Sequence, residues 1–277
     1  MLSLGKVNSL CVRKKTTFGL YLAKVNGDQE VLLPNKYVPE DLKIGDSIDV
    51  FLYTDSEDRI IATTLTPKIH LHHLSVLKVK DVTKIGAFLD WGLEKDLFLP
   101  FAEQENRVQK GDQVAVCLRL DKRTDRLFAS AKINGTTQRE VTVKEGEEVD
   151  LQIGRKSELG YQVIINHLHV GLLFHSEVFR ALSQGDRVKG FIKCIREDGK
   201  IDVSLQKQGY AQVVDSQVFL LEKLQENDGV LPLTDKSDPE EVARELRMSK
   251  KVFKKCVGAL YRQKKIKIEA DRIVLCS

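Results

Sequence analysis

The sequence predicts a mainly β protein in which three small tandem barrels precede a C-terminal α+β domain. Two observations lead to this fold class. One set of short strand-like segments occurs three times, with nearly constant spacing, in the first three quarters of the chain. From Ser216 onward the hydrophobic period changes from two residues to 3.6, the period of an amphipathic helix. We therefore expect four domains, at residues 1–66, 67–137, 138–211 and 212–277.

The repeated unit is clearest in its middle copy. Apolar and polar residues alternate from Lys78 to Gly92, which predicts half-buried strands, and Gly86 interrupts the alternation. A lone glycine in such a pattern indicates either a bulge or a close approach of another backbone. The distance from an apolar segment to the glycine of the next Gly-Asp pair is eleven residues in every copy: Pro34 to Gly45, Pro100 to Gly111 and Phe174 to Gly185.

Turn signals divide each copy into five short strands. Asn26-Gly27 and Asp198-Gly199 are hairpin signals, because glycine accepts the positive φ of a tight turn. Five short strands suit a small closed barrel, which leaves no sheet edge unpaired. The alternative architecture is an SH3-like barrel, which has a similar strand count and length.

Aromatic residues near the glycines are candidates for a ligand-binding face. They are Phe18 and Tyr21 in the first copy and Phe88 in the middle copy. An exposed ring stacks on any base, at roughly 1–3 kcal/mol per base, and a bulge at the glycine would bring residues three apart onto one face. We expect these three side chains to contact nucleic acid; the alternative is that they pack in the core. Trp91 is out of phase with Phe88 and is expected to pack at a strand end.

Two basic residues lie close to the predicted strands. Lys84 precedes the middle glycine, and Arg196 follows a strand of the third copy. We expect both to line a groove for a nucleic-acid backbone. Ordinary solvated positions are the alternative.

Three helices are predicted in the C-terminal segment. The first has Ser216 as its N-cap and stops near Asp228, and the second begins at Asp238 and runs to about Met248. Ser249 caps the third. Its predicted core stripe consists of Val252, Phe253, Cys256, Val257, Leu260 and Tyr261.

Residues 266–269 and 272–275 alternate about a short turn, which predicts a hairpin after the helices. Three helices and a hairpin resemble a winged helix, whose third helix usually meets nucleic acid. Between Arg244 and Lys267 the chain carries ten basic residues against one acid. We expect the third helix and the segment after it to attract phosphates through Lys250, Lys251, Lys254, Lys255, Arg262, Lys264, Lys265 and Lys267.

Two alternatives exist for this basic face: a solvated lysine surface, or a winged helix that binds protein. The helix carries no array of arginine, asparagine and glutamine suited to reading base edges. Sequence-specific DNA recognition is therefore the less favoured form of nucleic-acid binding.

Several classes of protein are not indicated by the sequence. There is no membrane-length apolar run and no signal-peptide pattern, and the five cysteines are isolated, so we expect a cytoplasmic protein with no membrane partner and no disulfide framework. His70, His72 and His73 lack a nearby carboxylate or cysteine to complete a metal site. No nucleotide-binding or catalytic motif is present, so we expect no metal, no cofactor and no enzymatic activity.

The three repeated units resemble S1 RNA-binding domains, a branch of the OB-fold. That family has an aromatic strand around a glycine, a Gly-Leu-Val-His-x-Ser turn, a Gly-Asp pair and a closing strand that ends in serine. The turn is closest in the third copy, from Gly171 to Glu177, and the resemblance places Phe174 and His175 among the RNA-binding residues. The family's turn histidine is replaced by Pro34, Pro100 and Phe174.

The whole chain resembles the bacterial conserved virulence factor B family, also called the CvfB or YitL group. The resemblance implies three S1-type OB-fold barrels followed by a winged-helix domain, in a cytoplasmic RNA-binding protein with a role in regulating gene expression. We expect a non-catalytic protein that binds single-stranded RNA with low sequence specificity. The alternatives are a DNA-binding transcription regulator and an interaction scaffold for the ribosome or for an RNA-degrading enzyme.

Overall fold

A computed structural model of the chain describes residues 2–133, 140–178, 180–206, 210–246 and 248–276, and the side chains of all of these except 210–215. The strands between residues 7 and 204 form three groups of five. The first group is β1 Val7–Lys15, β2 Gly19–Ala23, β3 Val31–Pro34, β4 Ser47–Thr54 and β5 Ile60–Thr63. The second is β6 Leu74–Val82, β7 Gly86–Asp90, β8 Leu97–Pro100, β9 Gln113–Asp121 and β10 Arg126–Ser130. The third is β11 Glu148–Lys156, β12 Gly160–Ile165, β13 His169–Phe174, β14 Arg187–Ile195 and β15 Ile201–Ser204.

Each group forms one sheet with the same strand order. The first and third groups are closed barrels, ordered β1-β2-β3-β5-β4 and β11-β12-β13-β15-β14. The third and fifth strands of these barrels run parallel, as in the pair Leu32–Ile61. The middle sheet, β10-β9-β6-β7-β8, keeps this order without a hydrogen-bonded ladder joining β8 to β10. The predicted threefold OB-type architecture is confirmed.

The repetition extends to single hydrogen bonds. In the Gly-Asp turns at 45–46, 111–112 and 185–186 the glycine φ lies between +95° and +97°. In each turn the aspartate carboxylate accepts a hydrogen bond of 2.7–2.9 Å from the backbone N–H three residues earlier. A residue with a Cβ is strained at this φ, which explains why glycine occupies this position in each turn. The turn leads into the fourth strand of every barrel.

Gly86 serves a close backbone approach rather than a bulge. It pairs with Pro100 in regular register, and a Cβ added to it would lie 2.5 Å from the carbonyl oxygen of Leu99. The register shift lies instead in β6, between Val79 and Asp81. The prediction of a bulge at the glycine is therefore wrong, and the alternative prediction of a close approach is confirmed.

The described chain divides into two compact units, residues 1–140 with 164–170, and 141–163 with 171–277. In the first unit, β4 is buried on both faces from Val50 to Thr54. Its Val50 and Leu52 belong to the core of the first barrel, whereas Phe51 and Tyr53 join the core of the middle barrel. Both rings contact Trp91 edge-on, at centroid distances of 5.8 Å and 6.2 Å. Trp91 is 3% exposed, so its predicted packing at a strand end is confirmed.

The C-terminal domain contains three helices and a three-stranded sheet. Its elements are α1 Tyr210–Glu226, β16 Val230–Leu231, α2 Pro239–Leu246, α3 Lys250–Arg262, β17 Ile266–Ile268 and β18 Ile273–Leu275. The predicted caps of α2 and α3 are confirmed: Asp238 accepts from the N–H of Glu240 at 2.8 Å, and Ser249 from that of Val252 at 3.2 Å. The predicted cap at Ser216 is wrong, because no glycine or proline interrupts the preceding six residues and the helix begins at Tyr210.

Tyr261 also differs from its prediction. The inward stripe of α3 ends at Leu260, which is fully buried, and the next side chain is turned about 100° around the helix. Tyr261 is consequently 56% exposed instead of packed in the core. No helix within the described ranges is long and apolar enough to span a lipid bilayer.

Candidate nucleic-acid interface

The outer face of the middle barrel carries a pair of phenylalanines. Phe88 in β7 and Phe98 in β8 are directly opposite each other, with ring centroids 5.3 Å apart. Their strand neighbours, Ala87, Leu89 and Leu99 among them, belong to the core. Because side chains alternate along a strand, the two rings point away from that core, and both are partly exposed. The predicted ligand-face residue Phe88 thus has an aromatic partner.

A third phenylalanine extends this outer face. Phe128 in β10 occupies the position that Ile61 occupies in the first barrel, and Ile61 pairs with Leu32, the counterpart of Phe98. Phe128 is partly exposed and lies opposite Arg119 of β9. The middle barrel therefore places aromatic side chains on three strands of its outer face. This arrangement suits stacking of successive bases.

The end of the β7–β8 hairpin bears an arginine that contacts an aromatic ring. Phe101 follows β8, and the guanidinium carbon of Arg107 lies 3.6 Å from its ring centroid. Ile85, on the opposite side of the hairpin, is exposed, and its carbonyl oxygen faces the N–H of Phe101. The predicted groove residue Lys84 is exposed in the β6–β7 turn, with no side-chain partner among the described residues.

In the first barrel the two predicted aromatic residues lie in different elements, a turn and a strand. Phe18 lies in the β1–β2 turn and is 74% exposed. Tyr21 is partly exposed in β2, with the ammonium of Lys14 4.6 Å from its ring centroid. Lys14 also forms an ion pair with Glu30 at 2.6 Å, and this hydrogen bond raises the pKa of the lysine. Both aromatic rings remain accessible to a base.

In the third barrel two of the predicted residues are engaged within the fold. The guanidinium of Arg196 lies 5.8 Å from the ring of Phe174 and donates two hydrogen bonds to Asp202, at 3.0 Å and 2.8 Å. These bonds raise the pKa of Arg196 and neutralise its charge locally. His175 packs edge-on against Tyr161, and its Nε2 is 2.9 Å from the carbonyl oxygen of Ser157. This barrel offers a weaker ligand face than the middle one.

The eight predicted cations of the C-terminal domain lie on α3 and the segment that follows it. Seven are exposed and Lys250 is half-buried. The nearest carboxylate recorded for any of them is Asp235, 4.0 Å from Lys254. Lys251 and Lys255 have no side-chain partner among the described residues. The positive charge of this face is thus almost uncompensated.

The arrangement of these lysines opposes the stability of the helix. Lys250 and Lys254, and likewise Lys251 and Lys255, are four residues apart, where like charges repel by about 0.2–0.5 kcal/mol per pair. The first turn contains no acid, so the cations meet the positive end of the helix dipole. An ordinary solvated face mixes both signs of charge. The phosphates of a bound nucleic acid would relieve both repulsions.

Lys264 ends this basic segment in an unfavourable backbone conformation. Its φ is +57°, and α3 closes with hydrogen bonds from Lys264 N to Tyr261 O and from Lys265 N to Leu260 O. This is the Schellman geometry, in which glycine usually occupies the left-handed position. A lysine there costs about 1 kcal/mol. The strain fits a position where positive charge is needed.

We expect Lys264→Gly to stabilise the C-terminal domain by about 0.5–1 kcal/mol, because glycine adopts this φ without strain. The same change removes one cation and should make the salt dependence of RNA binding shallower by about 0.7 in the log–log slope. Chemical denaturation and binding titrations at several salt concentrations measure the two effects. Lower stability would contradict the strain argument.

Four aromatic residues on or beside these faces were not predicted: Phe98, Phe101, Phe128 and Tyr161. For Phe98 and Phe128 the sequence signal was the alternation of β8 and β10, in which both residues occupy outward positions. Within the described residues, no three histidine, cysteine, aspartate or glutamate side chains are grouped as a metal site.

Two known domain families match three segments of the chain. The S1 domain family matches residues 4–65 and 73–132, and the CvfB-like winged helix domain family matches residues 219–275. S1 domains are OB-fold barrels, whose exposed strands bind oligonucleotides. The chain is therefore a nucleic-acid-binding protein. No catalytic domain family is among these matches.

Several known proteins align with nearly the whole chain. The Bacillus subtilis protein YitL is 29% identical over 95% of this chain and 90% of its own length. Conserved virulence factor B of Staphylococcus epidermidis is 27% identical over 92% of this chain and 89% of its own length. A multidomain protein with nucleic acid binding domains from Streptococcus pneumoniae aligns over 99% of this chain and 98% of its own, with a TM-score of 0.47 and 23% identity. The chain is thus a homologue of YitL and conserved virulence factor B, built with S1 domains and a CvfB-like winged helix domain.

Proposed function

We propose that the protein is a non-catalytic binder of single-stranded RNA that regulates gene expression by occupying its target RNAs. The observation that carries this proposal is the Phe88–Phe98 pair, which presents two adjacent rings on the outer face of the middle barrel. Unpaired bases stack on such rings, whereas bases inside a duplex are not accessible to them. Low sequence specificity follows, because every base has a π-face.

The C-terminal domain would add affinity through charge. Its cations attract phosphates of any sequence, and α3 lacks the side chains that read base edges. When several modules are tethered in one chain, binding of the first raises the effective concentration of the others on the same RNA. The barrels and the basic helix together would therefore bind a long strand more tightly than any single module.

We expect Phe98→Leu to weaken binding of single-stranded RNA by about tenfold, because leucine retains apolar packing but has no π-face. Phe98→Tyr preserves the ring and is the matched control, with affinity expected within about twofold of the original protein. Equilibrium titration of a labelled, unstructured oligoribonucleotide measures both. Equal affinities for the leucine and tyrosine variants would exclude stacking on this face.

Competition separates this proposal from a DNA-binding transcription regulator. Duplex DNA should compete poorly against single-stranded RNA of equal length for the intact protein. If duplex DNA competes better, the winged helix acts on DNA and the RNA proposal fails. If neither nucleic acid binds, the protein is an interaction scaffold. Cleavage or modification of labelled RNA by the purified protein would contradict the non-catalytic assignment.

A further inference from the structure

The Phe101–Arg107 stack in the middle barrel differs from the other contacts between cations and aromatic rings. Its 3.6 Å separation is the shortest recorded among the described residues, where the others range from 4.6 Å to 5.9 Å. At this distance a guanidinium lies in van der Waals contact with the ring, which favours a parallel stack. Arg107 is exposed, so a guanidinium stacked on Phe101 in this way would leave its other plane open to solvent.

The charge of Arg107 is also uncompensated. Most other cations above rings are paired with a carboxylate, as Lys14 is with Glu30 and Arg196 is with Asp202. No carboxylate is paired with Arg107 in the part of the chain that the structure describes. The nearby turn residue Glu103 is hydrogen-bonded to Ser130. The N–H groups of Arg107 are therefore available to a ligand.

The stack follows the aromatic pair of the middle barrel along the chain. Gly86 and Pro100 form the strand pair two residues beyond Phe88 and Phe98, and Phe101 follows Pro100 directly. Three residues along this edge cover about 10 Å, a distance that one or two nucleotides of an extended strand span. In the first and third barrels the residues at the position of Phe101 are Asn35 and His175. Of the three barrels, only the middle one has a phenylalanine at this position.

We propose that Phe101 and Arg107 form an additional nucleotide subsite, which extends the RNA path beyond Phe88 and Phe98. The outward plane of the guanidinium stacks an unpaired base, and its free N–H groups donate to the adjacent phosphate. Phe101 holds the guanidinium flat, so the plane is preorganised before the RNA arrives. This subsite rests on the proposed function of the barrels, and it assigns the middle barrel the longest contact with a strand.

The test is Arg107→Lys in the full-length protein. Lysine preserves the charge and removes the plane, so affinity for single-stranded RNA should fall about fivefold to tenfold while the slope of log affinity against log salt is unchanged. Phe101→Leu should produce a similar loss, and the double variant should lose no more than either single variant, since the two residues act as one unit. Arg123→Lys is the matched control, because Arg123 is an exposed arginine of the same barrel with no recorded ring contact.

The outcomes separate this subsite from the function of the barrels. Unchanged affinity of Arg107→Lys, or equal losses in Arg107→Lys and Arg123→Lys, would overturn the subsite. If Phe98→Leu weakens binding and Arg107→Lys does not, the barrel face is retained and only the subsite is rejected. If the unmodified protein fails to bind single-stranded RNA, both proposals fall. Photocrosslinking that links RNA to the peptide containing Phe101 would support the subsite independently of affinity.

Discussion

Replacing Lys250, Lys251, Lys254 and Lys255 with glutamate should lower the affinity for single-stranded RNA by on the order of 100-fold at moderate salt. Four phosphate contacts contribute about −3 to the slope of log affinity against log salt on a single strand, so the slope should become shallower by about that amount. The loss should be equal for all sequences, because phosphates carry no base information. Titrations across a salt series measure affinity and slope together.

The same variant is expected to stabilise the helix through its dipole, whereas repulsion at the four-residue spacing persists among the glutamates. Glutamates in the first turn of α3 face the positive end of the helix dipole, where the lysines oppose it. Reduced RNA binding with equal or greater thermal stability would thus identify the lysine face as functional. A matched variant, with glutamate at the exposed residues Lys43, Lys110, Lys122 and Lys144, controls for the change in net charge. Equal losses in both variants would show that only total charge matters and would exclude a specific interface on α3.

Most of the fold could be predicted because repetition reinforces weak local signals. One Gly-Asp pair or one lone glycine predicts little, but the same spacing in three copies requires one structure. The sequence alone does not show why glycine occupies position 86, since a bulge and a close approach of another backbone both favour glycine. The contact that decides it comes from the carbonyl of Leu99, on the neighbouring strand. Similarly, a serine is compatible with a cap or a helix interior. Ser216 lies inside α1 because the six residues before it contain no glycine or proline and continue the helix.

The candidate site was harder to predict than the fold. Phe88 was identified from its own strand, but its partner Phe98 becomes evident only when the register of β7 and β8 is known. The predicted groove residue Arg196 could not be distinguished from a free cation until its pairing with Asp202 was visible. Tyr261 was misassigned because an aromatic residue beside a core stripe is consistent with either the core or the surface. Site residues depend on tertiary neighbours to a greater degree than strands do.

The interface between the first two barrels is a further feature that depends on tertiary contact. The apolar run from Val50 to Tyr53 is continuous, a pattern typical of a strand buried on both faces. Such a strand implies a second partner without identifying it. The structure shows that the partner is Trp91 and the core around it, which includes Ile69 from the connecting segment. Lys68 N–H also donates to the Trp91 carbonyl at 2.8 Å, which fixes that segment.

Trp91→Ala should therefore destabilise both barrels together, by about 3–5 kcal/mol. The substitution leaves a cavity beside Phe51 and Tyr53 and removes the hydrogen bond from the indole N–H to the carbonyl oxygen of Lys95, which is 2.5 Å long. Trp91→Phe retains part of the ring contact and should cost less than half as much. Urea denaturation followed by circular dichroism measures each loss.

Trp91 is the single tryptophan, so its fluorescence in the unmodified protein reports on this shared core. Because β4 contributes to both cores, the fluorescence transition should coincide with loss of the first and middle barrels, and neither should unfold separately. In Trp91→Ala this coupling weakens, so the two barrels should unfold in separable steps, as hydrogen exchange would resolve. A loss below about 1 kcal/mol, or independent unfolding in the unmodified protein, would contradict a shared core. The aromatic faces of the two barrels would then be linked only by the chain and not held in a fixed relation.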